Sequence, residues 1–151
     1  MKNKFKLFGI IALVTVIGLS MASNSSATLS QPDFYGTWYS PRNVPPGGAR
    51  GNFDITVVIS ADKLVYSDTD GDGFTFEDLV WRELSNPVRQ YQNEFPRGFE
   101  IVGTITENKG YFNNENIGEK ERVYFFINAD RQRIARYRPS QGAIHSIYSK
   151  Q

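Results

Sequence analysis

The sequence predicts an all-β domain of about eight short antiparallel strands, arranged as a sandwich or a closed barrel. Three observations predict it. Residues Phe53–Ser60 alternate strictly, with Phe53, Ile55, Val57 and Ile59 on one face and Asp54, Thr56, Val58 and Ser60 on the other, which is the period of a half-buried strand. Further aromatic and β-branched runs follow at short intervals, separated by Gly, Pro, Asn and Asp clusters of the kind that turns require. No long run carries the helical period, and no strand–helix alternation points to a parallel sheet.

Before the first strand, Lys2, Lys4 and Lys6 precede an apolar run, Phe8–Met21, and a small polar stretch, Ser20–Ala27. That is the layout of a secretory signal peptide over residues 1–27, with cleavage after Ala22 or Ala27. The apolar run is shorter than the roughly 20 residues a spanning helix needs, so no stable membrane anchor is expected and the product is periplasmic or secreted. Removing the three leader lysines takes the 17 basic residues to 14 against 16 acids. That balance gives no electrostatic reason for a nucleic-acid partner. The chain has no cysteine, which excludes a disulfide framework, thiol catalysis and Cys-ligated metals. Residues 28–151 suffice for one domain with its own core.

In order, the elements are as follows. Thr28–Asp33 is a polar lead, and Phe34–Ser40 is a short aromatic first strand. Pro41–Asn52 holds Pro41, Pro45, Pro46, Gly47, Gly48 and Gly51 and therefore forms a long loop, since such a composition forbids a helix. The alternating run Phe53–Ser60 is the second strand and Lys63–Ser67 the third, closed by the turn Asp68–Gly73. Phe74–Leu84 is the fourth; its apolar parity shifts between Phe76 and Leu79, which places a β-bulge near Glu77–Asp78. Ser85–Gly98 is a second long loop with one or two helical turns within Val88–Phe95. Phe99–Thr106 is the fifth strand. Arg122–Ala129 is the sixth, apolar on both faces and so covered on both. Arg133–Arg138 and Ala143–Ser149 are the seventh and eighth.

Gly36-Thr37-Trp38 near the start of the predicted mature chain resembles the Gly-x-Trp of the lipocalin-like, or calycin, barrels. The resemblance spans the architecture of residues 34–149 and rests on that one sharp motif. It implies an up-and-down barrel whose closed end is plugged by Trp38, with a late arginine, Arg136 or Arg138, packed over it. It also implies binding of a small, largely apolar ligand between the walls, without catalysis or cofactor. Tyr66, Trp81, Phe99, Phe125, Tyr137 and Tyr148 come from different strands and are the candidate lining; a packed core would draw on the same residues. The chain departs from animal lipocalins in lacking a C-terminal helix, a Thr-Asp-Tyr motif and a disulfide. It is also similar at Gly36–Tyr39 to avidin-type biotin binders, but Trp81 is its only other tryptophan. The alternative is a protein-binding barrel, such as a protease inhibitor or envelope partner. It would act through Pro41–Asn52, Ser85–Gly98 or the arm Thr28–Asp33.

Other candidate chemistry is sparse. Asp68, Asp70, Asp72 and Gly73 match the first half of a calcium loop, yet the closing position is Leu79. A hairpin turn selects the same residues. His145 is the only histidine, which rules out a multi-histidine metal site and leaves a strand histidine on the wall. Arg131, Arg133, Arg136 and Arg138 flank Tyr137 in the seventh strand. They read either as a solvated edge or as a site for an anionic group, because an inward arginine can pair with a ligand carboxylate.

Overall fold

The computed structural model describes residues 28–41, 54–110 and 116–151. The expected leader, most of the Pro41–Asn52 loop and Phe53 lie outside them. Among the described residues, eight strands form one closed antiparallel barrel in sequence order. They are β1 (Gly36–Ser40), β2 (Ile55–Ile59), β3 (Lys63–Asp68), β4 (Gly73–Ser85), β5 (Arg97–Lys109), β6 (Lys120–Ile127), β7 (Arg133–Arg138) and β8 (Ala143–Lys150). The seam is short: β1 meets β8 through Trp38 opposite Lys150 and Tyr39 opposite Ser149. Closure leaves neither terminal strand as an open edge.

The expected bulge is present. The β4–β5 register shifts between Glu77 and Val80, and Asp78 adopts φ 55°. A further shift lies at Thr75/Phe76. Together they re-aim the apolar side chains of β4 so that Phe74, Phe76 and Trp81 all join the barrel's interior cluster.

Phe34 departs from the expected strand. Gln31–Phe34 is a single-turn helix before β1, held by Asp33, whose carboxylate accepts from the Ser30 N–H at 2.8 Å and the Ser30 hydroxyl at 3.1 Å. Asp33 also pairs with Arg131 at 3.1 Å, in the turn between β6 and β7. The turn seats Phe34, fully buried, against Phe99 at 5.5 Å and Trp81 at 6.3 Å. Phe34 thus plugs this barrel's own end, with Leu29 packed alongside.

The β4–β5 connection folds back on the outer wall. Asn86, 1% exposed, donates to the Phe95 carbonyl at 3.0 Å and accepts from the Val88 N–H at 2.9 Å. This turns Phe95 onto the outer face of β6 and β7, where it packs with Phe126 and Ala135. Arg133 fixes the strap by pairing with Glu94 at 2.8 Å and lying 5.7 Å over the Phe95 ring. The strap explains why β6 is apolar on both faces: Phe125 faces the interior and Phe126 faces the loop.

Candidate functional site

Inside the barrel, aromatic side chains stack in contact with one another. Tyr66 lies on Phe74 at 4.9 Å and Phe74 on Phe76 at 4.7 Å. Phe125 meets Tyr148 edge-on at 6.1 Å, and Trp81 meets Phe99 at 5.5 Å. Of the six residues expected to line a cavity, Tyr66, Phe99, Phe125 and Tyr148 are buried in this cluster, with Trp81 partly buried beside it. Their contacts are those of a packed core. The Trp81 indole N–H is buried without a hydrogen-bond partner among the described residues. Tyr137, the sixth, is on the other side of the wall. Because Arg136 points inward, alternation sends Tyr137 outward, against Phe126 at 6.2 Å and Tyr124 at 5.9 Å.

Trp38 is fully buried, and its indole N–H donates to the Phe34 carbonyl at 2.7 Å. The cation over its ring is not Arg136 or Arg138 but Lys150, at 5.1 Å. Register is the reason: Lys150 stands opposite Trp38 across the seam, whereas Arg136 stands opposite Ser146. Arg136 instead covers the Tyr66 ring at 5.1 Å.

The Asp-rich turn is organised by its own backbone. Asp68 accepts from the Asp70 and Asp72 N–H groups, each at 3.0 Å. Among the described residues no three His, Cys, Asp or Glu side chains come together as a metal site.

The barrel wall opens between β6 and β7. The β6–β7 ladder runs from Ile127 opposite Ile134 to Tyr124 opposite Tyr137 and stops. β6 continues back to Lys120, paired with β5 alone, while β7 ends at Arg138 and turns away through Pro139–Gln141. The parting strands leave a cleft of about 300 Å3 lined by Arg122, Val123, Tyr124, Arg136, Tyr137 and Arg138, with Pro139 and Ser140 at its rim. The arginine-rich character of β7 was legible; where its ladder ends depends on register and was not.

The cleft is electropositive. On its outer side Glu100, 6% exposed, accepts from Arg82 at 2.7 Å, Tyr124 at 2.9 Å and Arg122 at 3.4 Å. Arg138 forms no ion pair among the described residues. His145 sits where β8 bulges, between Ile144 opposite Tyr137 and Ser146 opposite Arg136. Burial first, then the positive charges of Arg138 and Arg136, push its pKa down to about 4. The imidazole is therefore neutral at pH 7.

Burial acts to raise the Glu100 pKa, but hydrogen bonds from Tyr124 and Arg82 and the charges of Arg82 and Arg122 outweigh it and leave it below 4.5. A carboxylate depressed in the folded state contributes stability above its unfolded pKa and loses it as pH falls through the folded value. Glu100→Gln is therefore expected to lower the melting temperature at pH 7. The difference from wild type should shrink steadily once pH drops below about 4.5, as followed by thermal melts across that range.

No protein-family model, no curated protein and no solved structure matches the chain.

Proposed function

We propose that the protein is an exported, lipocalin-like binding barrel that acts without catalysis and takes up a small ligand at the cleft between β6 and β7. The observation that carries this reading is the parting of the two strands around an open space of about 300 Å3, at the lower end of the volumes that small-molecule sites occupy. Its walls combine Val123, Tyr124 and Tyr137 with three arginines, Arg122, Arg136 and Arg138. Such a mixture suits a ligand with an apolar body and one polar end. The aromatic interior supports the site from behind and holds its geometry fixed, so little ordering is left to be done on binding. Export is supported by the basic, apolar and small-residue order of residues 1–27.

Ser140 is exposed at the rim, so Ser140→Trp should fill the cleft without disturbing the core. Native mass spectrometry of the protein incubated with an extract of the medium it is exported into is expected to show a bound small molecule. Ser140→Trp should lose it while melting within a few degrees of wild type. An equal adduct on both proteins, or none on either, would contradict the reading.

A further inference from the structure

We infer that the cleft selects an organic acid, holding its carboxylate on Arg138, with Arg136 behind it, while the apolar body lies against Val123 and Tyr137. This rests on the cleft being the binding site, as proposed above. Arg136 and Arg138 share the inward side of β7, and both line the opening. The nearby carboxylate, Glu100, is engaged by Arg82, by Arg122 and by the Tyr124 hydroxyl, and Arg138 has no acidic partner among the described residues. A planar guanidinium presents paired donors that match a carboxylate in both spacing and plane. Arg136, 8% exposed and lying 5.1 Å over the Tyr66 ring, adds positive charge from behind the cleft, in a partly desolvated setting where Coulomb attraction is stronger than in bulk water. Val123 and the faces of the two tyrosine rings are apolar, which is why the body of the ligand is assigned as apolar.

The molecule carries its own reporter of this event. His145 feels Arg138 and Arg136 of β7, and Ser146 Oγ lies 2.8 Å from its Nδ1. The other neighbouring strand, β1, meets β8 only at Ser149 and Lys150, away from the imidazole. An anion seated on Arg138 offsets part of the charge that disfavours imidazolium while burial, the larger cause, persists, so the His145 pKa rises above about 4 in the complex. Near that pH, binding takes up a proton.

The experiment uses phenylacetate, its methyl ester and inorganic phosphate as probes. Each is titrated into the full mature protein and read by calorimetry and by the ring signals of the sole histidine. Phenylacetate is expected to bind roughly ten- to a hundredfold more tightly than the ester, the ratio a charge-assisted hydrogen bond supplies. Phosphate should compete poorly, and the His145 pKa should rise on saturation with phenylacetate. Arg138→Gln should abolish the preference for the acid, and Arg138→Lys should restore part of it, with melting curves confirming that both fold. Equal binding of acid and ester, both blocked by Ser140→Trp, would overturn the carboxylate assignment while leaving the cleft as the site. Phosphate binding as tightly as phenylacetate, or an unmoved His145 pKa, would also overturn it. Failure of every probe to bind wild type would remove both readings.

Discussion

Trp38→Ala is expected to destabilise the barrel by about 3–5 kcal/mol, the range found when a buried aromatic is truncated and its cavity does not collapse. Trp38 is fully buried and opposite both Val57 and Lys150, so it touches the seam from either side. Its indole N–H also anchors the plug by donating to the Phe34 carbonyl. Removing the ring therefore empties the end of the barrel, frees the Phe34 carbonyl and strips Lys150 of the face it covers. Trp38→Phe separates these effects. It keeps most of the apolar volume and loses the hydrogen bond, for an expected cost of about 1–3 kcal/mol. Urea unfolding followed by far-ultraviolet circular dichroism measures both. A loss below about 1 kcal/mol for the alanine variant would mean that the plug and seam are not held through this residue.

Gly98→Val is expected to be as damaging by a different route. Gly98 lies in β5 between Leu84 of β4 and Phe126 of β6. A Cβ added there would stand 2.6 Å from the Phe126 Cα and 2.7 Å from the Phe125 carbonyl carbon, and would collide with the Phe125 carbonyl oxygen. These are backbone atoms, so no rotamer change relieves the overlap and the β5–β6 ladder must separate. A cost of at least ~3 kcal/mol follows, at the upper end of overpacking penalties. Gly71→Ala serves as the contrast. Nothing lies within 4 Å of its Cβ, and only its φ of +86° is strained; the expected cost is about 1–2 kcal/mol. Comparing the two melting temperatures distinguishes lack of space from backbone strain.

Much of the fold was legible because local signals and tertiary structure agree. The alternation in β2, the turn residues between strands and the parity shift at Glu77–Asp78 all reflect local chemistry that the barrel keeps. The double-faced β6 correctly called for a cover on each side, although the sequence did not say that Phe95 would supply the outer one. The plug had a readable signature: Ser30, then Pro32 and Asp33, form a helix start, overshadowed by the aromatic run that follows. Lys150, Tyr137 and the cleft were harder. Which cation reaches Trp38, which face a tyrosine occupies beside an inward arginine, and where two strands part are all set by register. Register is fixed by pairing across the whole sheet and not by any short stretch.

Backbone NMR of the mature protein, recorded while phenylacetate is added, maps directly where a small acid binds. Shifts are expected to be confined to the Lys120–Tyr124 half of β6, the end of β7 at Arg136–Arg138, the Pro139–Gln141 turn and His145. Shifts centred instead on Tyr66, Phe99 and Trp81 inside the barrel, or spread evenly over the surface, would contradict binding at the cleft.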